Sequence, residues 1–404
     1  MFTKNKQSSS LILDCVVIKN KLMNNSNLLN TITLITVFVI LLLVFFLLTV
    51  NTKNKLSNRL FAGFLLLTVF DLSSFLIDKY FEANLKFEVF RMTASLLIMP
   101  IFYLYVEAVS RSDFRLKPKH LALITPFVIA NLVFIPRFYL VTTVDTIYKY
   151  EHFKKMLEIR FFYILAELQY AFYIIAVFII LKKYKEVYLE NYTNANNSSY
   201  KWLFQMTMFF LIAHCIVFFK SVIRYTDYKV LLDSSNIVIG MIALIISCWF
   251  VLKALNNPEL FKSVDSNMLL VNETLNTKII STEKESFEVP KSAEIISQIE
   301  YVKKYVLENK SYLEPSLTIQ ELSRQVNIPV RDLSVLINHH MNQHFFDFIN
   351  EYRIQNAMQI LKDSSKSKLT ILEILYLVGF NSKSSFNTAF KKHTNQTPTE
   401  FRNS

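Results

Sequence analysis

The sequence predicts an all-α protein in two parts: an N-terminal polytopic helical membrane domain of about seven spans, and a smaller all-helical C-terminal domain. Three observations predict it. Long apolar blocks are confined to the stretch from Leu28 to Leu255. An amphipathic helical period sets in only beyond Lys291. The C-terminal stretch also contains an internal repeat, and both copies open on the same helix-start signal. The expected boundaries are 1–255 for the membrane domain, 256–291 for a flexible cytoplasmic linker and 292–404 for the soluble domain.

Of the 404 residues 52% are hydrophobic and 36 are Phe, with a mean hydropathy of +0.30, which is odd for a soluble protein and fits a membrane half. The net charge of +12 suits anionic partners, either lipid head groups or nucleic acid. Cys15, Cys215 and Cys248 are scattered, with no disulfide or zinc spacing. The three glycines, Gly63, Gly240 and Gly379, are isolated, which excludes a glycine-rich phosphate loop or a dinucleotide fingerprint. No H-E-x-x-H, no G-x-S-x-G and no nucleophile–base pairing occurs, so neither an enzyme activity nor a cofactor is expected.

Seven blocks are long enough to cross a ~30 Å hydrocarbon core as helices. They lie near Thr31–Val50, Leu60–Ile77, Thr93–Val109, Leu121–Leu140, Phe161–Leu181, Leu203–Val222 and Ile237–Leu252. An odd number of spans places the termini on opposite sides. With the C-terminal domain inside, the inner loops carry Lys53, Lys55 and Arg59, then Arg111, Arg115, Lys117 and Lys119, then Lys182, Lys183, Lys185 and Lys201. The outer loops hold about as many basic residues, so charge alone does not orient the chain. Lys4, Lys6, Lys19 and Lys21 precede the first span, and a start at Met23 would remove them. Within the spans stand Asp71, Glu107, Glu167, Gln169, His214 and Lys220. Charges at that depth face a protein interior or a cavity, and Asp71, Glu107, Glu167 and His214 are the candidates for a signal pocket. The plainer alternative is interhelical bonding.

From Asn256 to Lys291 the chain is rich in Asn, Ser, Thr, Lys and Glu, with Pro258 and Pro290 as breakers, and reads as a linker, with a short helix an option near Met268–Val271. Ile295, Ile299, Val302 and Val306 then share one face of a helix ending near Lys310. The repeat follows: LTIQELSRQVNIP from Leu317 and LTILEILYLVGFN from Leu369. Each copy opens with a capping box, Thr318 with Glu321 and Thr370 with Glu373. Each short helix ends at a residue that tolerates positive φ, Asn327 or Gly379. A second short helix follows, Arg331–His340 or Ser382–His393. Two short helices joined by such a turn make a helix-turn-helix unit. Between the two units, Phe345, Phe348, Ile349 and Tyr352 share one helix face while Ile354, Ala357, Met358 and Leu361 share a nearly opposite one. A helix that switches its apolar face halfway suits a strut between two subdomains. Its ~27 Å length is close to the ~34 Å between successive major-groove faces of a duplex.

The run VGFNSKSSFNTAFKKHTNQTPTEFR, from Val378 to Arg402, resembles the second helix-turn-helix and closing Thr-Pro, aromatic-Arg ending of the AraC/XylS family of bacterial transcription regulators. FDFINEYRIQNAMQIL resembles the linker helix of the same family. The resemblance covers the last ~110 residues, about a quarter of the chain. The first unit departs from the pattern, with Asn327 in place of a glycine and with Asn338 and His339 where a lysine-rich pair is common.

The resemblance implies base contacts from Arg331, Ser334 and Val335 in the first unit and from Lys383, Ser384, Asn387 and Thr388 in the second. Arg, Lys and Asn have the donors and acceptors that base edges require. His339, Lys391 and Lys392 are expected at phosphates, which position the protein without reading sequence. His339, His340 and His344 read as surface histidines, not as a metal site, because no Cys or paired carboxylate completes a ligand set. The expected partners are double-stranded DNA, membrane lipid, a small-molecule or membrane signal, a second copy of the chain and RNA polymerase, with the chain in the bacterial inner membrane and its C-terminal domain cytoplasmic. A transporter or receptor whose soluble domain is only an interaction module is the alternative reading.

Overall fold

The computed structural model describes residues 27–50, 55–76, 85–111, 114–140, 156–193, 198–223, 229–257 and 292–404. The basic N-terminal segment and the expected linker lie almost wholly outside the described residues. The fold is all-helical, with no named strand among the described residues. The chain forms two compact units: Met1–Leu181 with Trp202–Ser266, and Lys182–Lys201 with Asn267–Ser404.

In the first unit seven helices are long and apolar enough to cross a membrane: α1 (Asn27–Thr49), α2 (Lys55–Phe75), α3 (Lys86–Ser110), α4 (Pro118–Tyr139), α5 (Leu157–Asn191), α6 (Ser199–Ile223) and α7 (Ser234–Asn256). The last ten residues of α5 group with the second unit. Each helix contains most of one expected apolar block. The fifth is the longest, 35 residues, because the helical pattern continues past Leu181 through KKYKEVYLEN. The outer faces are apolar, with Phe38, Phe45, Leu168 and Phe172 exposed. The inner faces are aromatic: Phe61 stacks on Tyr105 at 4.8 Å, and Trp202 donates its indole N–H to the Tyr105 hydroxyl at 2.9 Å. Val89, Leu96, Phe134, Phe138 and Phe162 close a second cluster where α3, α4 and α5 meet.

Some polar groups inside these helices bond locally and others across helices. Thr33 and Thr36 return their hydroxyls to the carbonyls of Leu29 and Ile32. Pro100 has no N–H, so the Leu96 carbonyl one turn earlier loses its helical donor. Gln169 of α5, buried, donates its amide to that carbonyl at 2.8 Å. Proline at 136 accompanies a π-turn, Ile135–Tyr139, that ends α4.

The second unit holds α8 (Ser292–Glu308), α9 (Ile319–Val326), α10 (Val330–Val335, continued by a π-turn over Leu336–His340), α11 (Phe345–Lys362), α12 (Ile371–Leu377), α13 (Lys383–Thr394) and α14 (Pro398–Asn403). α11 divides its apolar residues between two cores. Phe345, Phe348 and Ile349 join Val302, Val306, Leu322 and Leu333. Ile354, Ala357 and Leu361 join Ile374, Phe386 and Phe390. At roughly 1.5–3 kcal/mol per fully buried large apolar side chain, each core holds its own helix pair and both hold α11. The change of face expected from the sequence is the reason one helix serves two subdomains.

Candidate nucleic-acid interface

Both expected capping boxes are formed. The Thr318 hydroxyl accepts from the Glu321 N–H at 3.2 Å, and the Glu321 carboxylate accepts from the Thr318 N–H at 2.8 Å. Thr370 and Glu373 repeat this at 3.1 and 2.7 Å. These bonds hold the Glu373 carboxyl below its ordinary pKa, the Thr370 N–H being the largest cause. A third box, Thr397 with Glu400, opens α14 behind Pro398. The sequence TPTE carries that signal too.

The turns behave as their residues dictate. Asn327 takes φ 54° and Gly379 takes φ +88°. A Cβ on Gly379 would stand 2.7 Å from the carbonyl oxygens of Tyr312 and Leu313, so this turn lies directly against backbone belonging to the first subdomain. Arg353, 1% exposed, binds the same stretch. It donates through Nε to the Tyr312 carbonyl and through Nη2 to the Glu314 carbonyl, both at 2.6 Å, and its guanidinium lies 5.4 Å from the Phe380 ring centre. Burial brings its pKa down to about 10. No local pattern marks this residue's role, because the carbonyls that accept its donors lie about 40 positions away in the chain.

In α13 the Ser382 hydroxyl caps the first turn, accepting from the Ser385 N–H at 3.2 Å. Ser385, Phe386, Ala389 and Phe390 are buried. The opposite face therefore presents Lys383, Ser384, Thr388, Lys391 and Lys392 exposed, with Asn387 half-buried beside them. Lys392 is not free: its ammonium pairs with Asp347 at the start of α11 at 2.6 Å.

In α10, Arg331 and Val335 are half-buried and His339 is exposed. Ser334 lies on the inner side of the helix. It is 1% exposed and accepts the Asn338 amide at 2.9 Å, because the neighbouring Leu333, Leu336 and Ile337 turn this side of the helix into the core. Val335, His339, Lys392 and His393 line a cleft of about 580 Å³ between the α10 segment and the end of α13.

The four candidate residues of the membrane half lie in three side-chain pairs. Glu167 meets His214 at 2.8 Å, and Tyr170 stacks on that imidazole at 3.4 Å. Asp71 pairs with Arg91, which also binds Glu88. Glu107 pairs with Arg111 one turn away, at 3.5 Å. Only Glu167 and His214 of the expected set are in direct contact.

Two short helices, a φ-permissive turn and an exposed polar second helix, built twice on one strut, define a double helix-turn-helix domain. A family model described as a helix-turn-helix domain matches residues 322–404, within the segment that resembles the AraC/XylS DNA-binding domain. The chain is 34% identical over 90 residues to the HTH-type transcriptional regulator GlxA of Rhizobium meliloti (strain 1021), covering 22% of this chain and 27% of that protein. It is 35% identical over 68 residues to the probable transcription factor PqrA of Proteus vulgaris, covering 16% of this chain and 56% of that protein. The chain thus spans about a quarter and about half of the lengths of these curated relatives. No solved structure matches the chain.

Proposed function

We propose that the chain is a membrane-anchored, sequence-specific DNA-binding transcription regulator that couples a membrane or external signal to transcription. The observation that carries this reading is the exposed face of α13, with Lys383, Ser384, Asn387, Thr388 and Lys391 on one side of a capped helix whose other side is core. A short rigid helix of this kind fits a major groove, and its side chains match base edges and phosphates. The names of the two relatives agree with it.

In this reading residues 1–255 are the membrane domain, 256–291 the cytoplasmic linker and 292–404 the DNA-binding domain, with the C-terminus on the cytoplasmic side of the bacterial inner membrane. Seven apolar helices with apolar outer faces support the anchoring. The Glu167–His214 contact is the best-supported location for signal input, because ionisable side chains inside such helices are costly unless they face a partner or a cavity. RNA polymerase, lipid and a second copy of the chain are the further partners this reading requires.

The test is to present the purified full chain in detergent with sheared genomic DNA and sequence what it retains. A shared short motif is expected, with affinity falling steeply as salt rises. Retention no better than that of an equally basic unrelated protein would end the DNA reading. A reporter fused after Asn256 should work only if it is one that works in the cytoplasm; activity of an external reporter there would end the proposed topology.

A further inference from the structure

The residues that close α5 group with the helix-turn-helix unit, and they are bound there by specific contacts. Asn191 and Thr193 are buried. Tyr192 forms an antiparallel bridge with Thr318, the cap of α9. The Thr193 hydroxyl donates to the Leu317 carbonyl at 3.0 Å and accepts from Arg353 Nη2 at 3.3 Å. The Thr193 carbonyl accepts from the Asn350 amide at 3.3 Å. Two residues of the α5–α6 connection therefore meet the entry to α9 and the middle of α11 at once, next to the Arg353 contacts that tie the two subdomains together.

Glu190 lies three residues before Thr193. It lines the cleft of about 580 Å³ together with Val335, His339, Lys392 and His393. These are residues that the DNA reading places against bases and phosphates, or beside them. A carboxylate fixed there repels the phosphate backbone, and like charges brought together at an interface oppose association.

We propose that the surface formed by Leu317, Asn350 and Arg353 is a docking site for this chain's own segment 190–193, and that the docked segment holds Glu190 where it opposes DNA. Release of the segment frees the interface. The inference rests on the DNA-binding reading above. It assigns the α5–α6 connection a regulatory role separate from that of the linker 256–291, which a sequence of that composition could serve only as a tether.

The experiment uses the full chain in detergent, with a fluorescent mixed-sequence duplex at low salt as the probe and hydrogen exchange across residues 317–322 and 350–353 as a second readout. Thr193→Val removes the hydroxyl at nearly constant shape and should speed exchange in both stretches. It should also tighten DNA binding, by roughly three- to tenfold, the scale of one lost hydrogen-bonded contact. Thr193→Ser keeps the hydroxyl and should behave as the parent. Glu190→Gln should tighten binding without speeding exchange. Faster exchange in Thr193→Val with unchanged DNA affinity would reduce the contact to a structural one and overturn the proposal, as would unchanged exchange. Failure of the parent and every variant to bind the duplex would instead sink the DNA reading, and this inference with it.

Discussion

The ammonium of Lys392, near the end of α13, lies 2.6 Å from the carboxylate of Asp347, at the start of α11. The pair joins α13 to the strut, and it occupies a cation that the family resemblance places at a phosphate. Lys391, next to it, is exposed and acts on the Glu400 carboxyl only as the smallest of the causes that lower it. Lys391→Ala should therefore weaken binding to every duplex alike and reduce the salt slope by about one. Lys392→Ala should do less, and Asp347→Asn should tighten binding to all sequences by freeing the lysine. Equal losses from the two alanine variants would mean that the pair opens on DNA.

Asn387 stands half-buried beside the exposed face of α13, and its amide can bond the two adjacent polar atoms of adenine. Replacing it with Ala should relax preference at one base pair, by about 1–3 kcal/mol, and leave the other positions unchanged. Selection of bound sequences from a random pool reads this directly. An unaltered motif would move the reading face of α13 elsewhere.

Gly379 combines φ +88° with two carbonyl oxygens 2.7 Å from where a Cβ would lie. Gly379→Ala should cost about 2–4 kcal/mol, from backbone strain and from forcing the subdomains apart. Asn327 occupies the equivalent turn at φ 54°, a conformation that glycine adopts freely, so Asn327→Gly should change stability by less than about 1 kcal/mol. Thermal melts of the two variants compare the turns, and similar losses would show that the clash at 379 is relieved by movement.

Glu373 has its pKa depressed below the ordinary 4.5 by the Thr370 N–H and hydroxyl. A carboxyl lowered on folding contributes stability that is fully present above the unfolded value and lost as pH falls through the folded one. The melting temperature should therefore drop on acidification below about pH 4.5, and Glu373→Gln should flatten that drop. Glu400 is lowered in the same way by Thr397, so some acid sensitivity should remain. A variant with the full parental acid response would remove the capping box from the account.

Much of the C-terminal domain was legible because its signals are local. The boxes at Thr318 and Thr370, the turns at Asn327 and Gly379 and the face change along α11 each depend on residues a few positions apart. The seven apolar helices were legible for the same reason. What the sequence hid depends on distant partners. Ser334 lies between buried Leu333 and half-buried Val335, and the packing of Leu333 and Ile337 turns it inward. Arg353 is buried because carbonyls some 40 positions away accept its donors. Thr193 bonds Leu317 at a separation of 124 positions, which no local pattern can signal. In the membrane half, Asp71 was readable as costly, but its pairing with Arg91, 20 positions away, was not.

The Gln169–Leu96 bond ties the tolerance of one helix to the history of another. While residue 100 is proline, the carbonyl of Leu96 depends on the Gln169 amide, and an apolar residue at 169 would leave a buried acceptor unsatisfied at about 1–3 kcal/mol. Once residue 100 supplies an N–H, the helix can satisfy that carbonyl itself and position 169 is released. Substitutions at the two sites are thus ordered in time: proline must go before glutamine can drift, and a lineage that takes the steps in reverse passes through its least stable form.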